Sequence, residues 1–171
     1  MDTDKNTLPK RKSTRLKNFD YSSNGAYFVT ICTHNKEKIL WSTDIHDNVG
    51  ANCVRPCDNI QLSQYGLAIK NEIEKISSVY GDIVKIEKFV VMPNHIHMII
   101  SIDTYGRTQF APTISRIIKQ FKGAVTKQIG RSIFQRSFHD HIIRNESDYL
   151  KIWNYIDTNP AKWTDDCFYI E

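Results

Sequence analysis

His95 and His97 stand one residue apart in "VMPNHIHMII" (91–100), just after a Met-Pro-Asn turn signal and inside an otherwise apolar run. Alternate side chains of a strand share a face, so the two imidazoles lie within reach of one divalent ion, and imidazole is the commonest protein ligand for such ions. Two exposed or hydrogen-bonded histidines give the same pattern, so metal binding requires a third donor. The segment "ESDYLKIWNYIDTN" (146–159) offers one. As a helix it places Asp148, Tyr155 and Asn159 along one flank, with Tyr155 and Asn159 one turn apart. A phenol and a carboxamide there could face the sheet. A packed tyrosine and a helix-ending asparagine before Pro160 account for the same residues. A second H-x-H, His139 and His141, is the rival metal site. Cys53 and Cys57, with His46 upstream, are either zinc ligands or free thiols beside a turn.

The elements that must position these groups are legible in the hydrophobic pattern. "AYFVTICT" (26–33), "IVKIEKFVV" (83–91) and "HIHMIISI" (95–102) alternate as strands, the last two joined by the short "MPN" connection of an antiparallel hairpin. In the third strand Ile96, Met98, Ile100 and Ile102 face a core, which sends His95 and His97 to the other side. "SQYGLAIKNEIEKISSVY" (63–80) reads as a helix capped by Ser63, its first turn weakened by Gly66. "TISRIIKQFKGAVTKQIG" (113–130) reads as a second, with Ile114, Ile117, Ile118, Phe121 and Val125 on one face and Arg116, Lys119 and Lys127 opposite. "RSFHDHIIR" (136–144) supplies a fourth strand, and residues 146–159 a last helix with Tyr149, Ile152, Trp153 and Ile156 as its buried stripe. The order βαββαβα predicts an α+β, ferredoxin-like sandwich with a central antiparallel sheet, helices on one face and an added C-terminal helix.

The chain of 171 residues suits one domain, expected over 21–171 behind a basic arm at 1–20, with residues 46–60 as a loop or small hairpin. No apolar run spans a bilayer and the first twenty residues lack a signal-peptide core, so the expected location is the cytoplasm, with no membrane partner. Residues 1–17 hold six Lys/Arg and two Asp, the whole net charge of +4. No acid lies between Asp103 and Asp140, an interval with seven basic residues, Arg107, Lys122, Arg131 and Arg136 among them. A basic arm together with an acid-free basic stretch points to a polyanion.

Five strings extend this reading: "RKSTRLKNFDYSSNGAYFVTICT", "VVMPNHIHMII", "FKGAVTKQ", "RSFHDHIIRNESDY" and "YIDTNPAKW". In these, and in their order, the chain resembles the REP-associated tyrosine transposases, relatives of the single-tyrosine HUH transposases of small insertion sequences. The likeness runs from about Arg11 to Asp166. It implies that His95, Ile96 and His97 form the His-hydrophobic-His motif, that Tyr155 is the nucleophile and that Asn159 is the third metal ligand. Where relatives carry an aromatic residue this chain has His139, whose role the resemblance leaves open. The implied cofactor is Mg2+ or Mn2+. The implied reaction cleaves single-stranded, hairpin-forming DNA through a 5′-phosphotyrosine and transfers the strand. Arg11, Lys12, Arg15, Lys17, Arg116, Lys119, Lys127 and Arg144 are the expected phosphate contacts. Insertion-sequence relatives include homodimers, whereas the REP-associated branch resembles monomers; a monomer is the expectation here. Two other functions fit the residues: a non-catalytic nucleic-acid-binding module of ferredoxin-like fold, and a metal-dependent phosphohydrolase.

Overall fold

The computed structural model describes residues 23–42, 61–104 and 112–170. The basic arm with Arg11, Lys12, Arg15 and Lys17, the loop with His46, Cys53 and Cys57, and Arg107 lie outside the described residues. Four strands, β1 (Gly25–Cys32), β2 (Val84–Val91), β3 (His95–Ile102) and β4 (His139–Ile143), alternate with three helices, α1 (Gln64–Tyr80), α2 (Ile114–Ile129) and α3 (Glu146–Thr158). The sheet order is β2-β3-β1-β4 and all pairs are antiparallel. This is the expected α+β sandwich: α1 and α2 cover one face, and α3 lies on the other.

Alternation sorts the strands between the two faces. Tyr27 pairs with Ile100, Val29 with Met98 and Ile31 with Ile96, and all six are buried in the core with Ile69 and Ile73 of α1 and Ile117 and Val125 of α2. Thr30 pairs with His97 and Cys32 with His95 on the opposite face. In β2 the register shifts between Ile86 and Lys88, a bulge at Glu87. Ile86 therefore sits against the core, while Lys88 turns to the α3 side.

Local chemistry sets the helix ends. The Ser63 hydroxyl accepts from the Gly66 N–H, and the Thr113 hydroxyl accepts from the Arg116 N–H. α2 stops at Gly130, whose φ of 83° is the left-handed conformation that ends helices cheaply on glycine. Gly66 is required rather than merely tolerated: a Cβ there would lie 2.2 Å from the Leu40 carbonyl oxygen. One expectation shifts: β4 is shorter than 136–144, the Lys122 ammonium tying down the preceding carbonyls of Gln135 and Ser137 at 2.7 and 3.0 Å. α3 ends before Pro160 as expected, and the chain then tightens into a 3-10 segment, Asn159–Asp165, with Pro160 in its first turn, where no N–H is needed.

Candidate active site

β3 leaves the Met92–Asn94 connection directly into His95, and both histidines are buried, at 0% and 1% exposure. They are not on an open face: α3 and the segment after it cover them. The Phe168 ring lies 4.7 Å from His95 and 5.9 Å from His97, and Trp163 lies 5.9 Å from His95. Each imidazole is held by its Nδ1. His95 Nδ1 meets Asn94 Oδ1 at 2.8 Å, and His97 Nδ1 meets the Thr30 hydroxyl at 2.8 Å. Asn94 is itself pinned, its amide donating to the Phe168 carbonyl and its own carbonyl accepting from the Thr33 N–H and hydroxyl. Because Asn94 Oδ1 only accepts, His95 Nδ1 carries the proton and Nε2 keeps a lone pair. The two Nε2 atoms converge at 2.9 Å.

α3 brings the other groups. Asn145 caps its N-terminus by accepting from the Asp148 N–H, and Asp148 also takes His141 Nε2 at 2.8 Å. The Lys88 ammonium sits 4.0 Å from the Trp153 ring centroid and 2.5 Å from Asp157. The expected stripe is thinner than its sequence: Tyr149, Ile152 and Trp153 are half-buried and only Ile156 is fully packed. Tyr155 is 38% exposed, and its hydroxyl reaches 3.3 Å from His97 Nε2 while donating to Asp166 Oδ2 at 3.0 Å. Asn159, 3% exposed, donates its amide to the same Asp166 oxygen at 2.7 Å, and its Oδ1 has no hydrogen-bond partner among the described residues.

Asp166 is absent from the sequence-level site. It follows a 3-10 segment rather than α-helix, so no helical spacing connects it to Tyr155. The quoted family strings stop at Trp163, and only the overall likeness extends as far as Asp166. One coordinating atom each from His95, His97 and Asp166 lie within 4.8 Å of one another, a set able to hold a metal ion. Residues and ion fit: two imidazole nitrogens converge, a carboxylate adds negative charge, and a buried amide oxygen lacks any other partner, an arrangement costly unless something fills it.

The electrostatics agree with that chemistry. Burial lowers the His95 pKa to about 4, against the pull of Asp166, and burial with His95 lowers that of His97 to about 3, so both are neutral, the form that binds metals. Burial opposes ionisation of Asp166, but the Phe168 N–H, the Asn159 amide and His95 together hold its carboxyl below the usual range. Burial, and then the Asp166 charge, push the Tyr155 phenol well above its ordinary range.

The remaining candidates are not gathered here. Arg116, Lys119 and Lys127 are exposed on α2, across the sheet from Tyr155, and Arg144 is exposed in the turn before α3. His139 and His141 share the site face of the sheet through pairing with Thr30 and Phe28, but His141 is committed to Asp148.

No protein-family model matches the chain. An uncharacterized protein of Haemophilus influenzae is 35% identical over 182 residues, covering 94% of each chain. A REP-associated tyrosine transposase of Escherichia coli is 36% identical over 78 residues, 46% of this chain and 45% of that one. Among solved structures, a REP-associated tyrosine transposase bound to a REP hairpin shares the fold with a TM-score of 0.58 at 23% identity, over 91% of this chain and 74% of that one. The chain is thus related along its whole length to the Haemophilus influenzae protein, is similar over just under half of its length to a REP-associated tyrosine transposase, and shares its fold with the solved transposase.

Proposed function

We propose that the protein cleaves and rejoins single-stranded, hairpin-forming DNA through Tyr155, with a divalent metal held by His95, His97 and Asn159. The observation that carries this reading is the Tyr155 hydroxyl, placed 3.3 Å from His97 Nε2 and 3.0 Å from a carboxylate. Of the two oxygen donors, Asn159 Oδ1 is assigned to the metal because it has no other partner among the described residues. Asp166 is assigned the phenol proton because its Oδ2 already accepts that hydrogen bond. When bound, Mg2+ or Mn2+ supplies Lewis-acid polarisation of the scissile phosphate.

The protein's own groups do the rest. Thr30 and Asn94 fix the imidazoles by Nδ1, the arrangement that orients ligating histidines. Tyr155 Oη attacks phosphorus and loses its proton to Asp166. The bond from phosphorus to the 3′ oxygen breaks, leaving a 5′-phosphotyrosine and a 3′ alkoxide that takes up a proton. The ester is conserved, so another 3′-hydroxyl can reverse the step and join strands without ATP. The hairpin substrate is supported by the related transposase solved with a REP hairpin. Arg116, Lys119, Lys127 and Arg144, with the arm, belong in this reading to DNA contacts away from the reacting phosphate. The protein acts as a monomer in the cytoplasm, with the arm preceding one catalytic domain.

The test is a denaturing gel after incubation with labelled hairpin DNA and manganese. A protein–DNA adduct in the wild type that is missing in Tyr155→Phe supports the proposal. Free cleaved DNA without adduct indicates a phosphohydrolase, and neither product a binding module.

A further inference from the structure

Beside the reacting groups, two segments distant in sequence bring together three more rings and two lysines. Trp41 and Trp163 lie 6.5 Å apart with their planes tilted by 51°, and Tyr169 meets Trp163 edge-on at 5.3 Å. All three residues are half-buried rather than sealed in the core. The Lys38 ammonium lies 5.3 Å from the Tyr169 centroid and that of Lys36 lies 5.5 Å from Phe168. Lys36 is delivered by an unusual backbone: Asn35 and Lys36 have φ of 50° and 56°, two successive left-handed residues without glycine. The turn is held by the His34 N–H on the Ile133 carbonyl and the Glu37 N–H on the His34 carbonyl. Backbone strain of this kind persists where surrounding structure enforces it, and it collects at functional sites. Trp41 is anchored by its Nε1–H to the Val91 carbonyl at 2.7 Å, so the ring surface is fixed before any ligand arrives.

Aromatic faces interleaved with cations are what unpaired nucleotides require, since bases stack on rings and phosphates meet ammonium groups. We infer that Trp41, Trp163 and Tyr169, with Lys36 and Lys38, form a platform for the unpaired bases of a single DNA strand running to the scissile phosphate. This rests on the reading of Tyr155 as the nucleophile, because that reading brings a strand to this edge of the sheet. The platform is separate from α2, whose lysines lie across the sheet.

The test compares two probes in a Tyr155→Phe background, which removes cleavage: a DNA hairpin with a single-stranded flank, and the same hairpin without it. Tyr169→Ala should weaken the flanked probe roughly tenfold, the usual loss per stacked base, and leave the blunt hairpin within about twofold. Lys38→Gln, at an exposed position that cannot unfold the protein, should lower the salt slope for the flanked probe by about 0.7, one single-strand phosphate contact. Unchanged binding of the flanked probe, or an equal loss on both probes, overturns the platform. The adduct gel on wild-type protein is independent of this result. A platform that fails with the adduct intact falls alone, whereas flank-dependent binding without any adduct sustains the platform and removes the nucleophile.

Discussion

The two faces of the sheet are built on opposite principles. Against α1 and α2 the side chains are almost wholly aliphatic and aromatic, and each buried residue contributes through area removed from water. Against α3 and the 3-10 segment the same strands bury two histidines, an asparagine and an aspartate, which contribute little to stability unless fully paired. On the first face a lost methylene is a packing defect. On the second, nearly every buried polar atom has its partner; among the described residues Asn159 Oδ1 is without one, on the side chain whose amide donates to Asp166.

The largest contrast should come from Tyr155→Phe. The ring keeps its edge contact with Phe28 at 6.0 Å and loses only the hydroxyl, so adduct formation should vanish while hairpin affinity and melting temperature hold. Tyr149→Phe should retain the adduct, since Tyr149 packs at a tilt against Trp153 instead; the reverse result on the same gel would break the comparison at its reacting atom.

Neighbours in β3 sharpen it next. His97→Ala should abolish calorimetric metal binding and metal-dependent cleavage. It also removes a buried ring, so unlike a surface change it should lower stability measurably in a urea melt. Met98→Ala, one residue on and facing the core, should cost about 2–5 kcal/mol in the same melt yet leave metal affinity intact. Equal consequences for both functions at the two positions would mean the faces are not separate. Changing His139 and His141 should spare metal binding; loss there, with His97 dispensable, would move the site to the rival pair.

A smaller effect is expected at the oxygen donors. Asn159→Ala should weaken metal binding by at least about tenfold, as loss of one supporting contact commonly does, with adduct partly restored at high manganese. Asp166→Asn should slow adduct formation more than it weakens metal binding; the opposite ranking would exchange the two roles. The smallest change belongs to the far face: Lys119→Gln with Lys127→Gln should flatten the dependence of log affinity on log salt by about 0.7–0.9 per lost phosphate contact and leave the adduct rate at saturating DNA unaltered. Deleting residues 1–17 should flatten that slope further, read in the same titration.

Much of this architecture could be read from local pattern. The boundaries of β3 and the apolar stripe of α2 match the expectation closely, because both elements are strongly periodic and have polar or turn-forming residues at their ends. The two histidines shared a face by the same argument. Their depth was hidden, since alternation assigns a side of the sheet and says nothing of what covers it. Gly66 read as a weak first turn because the Leu40 carbonyl that demands it belongs to a segment more than twenty residues earlier.

What the sequence determined by itself, then, is every property carried by spacing within one element: strand against helix, which residues share a face, and the flank joining Tyr155 to Asn159. Tertiary structure alone decided what meets across elements. The bulge at Glu87 turns Lys88 toward Trp153 and Asp157. The 3-10 segment that begins at Asn159 returns Asp166 to Tyr155 and lays Phe168 over the histidines. Those contacts follow from the path of an irregular chain rather than from any period, and burying polar groups there is tolerable only because partners from β1, β3 and the C-terminal segment arrive together.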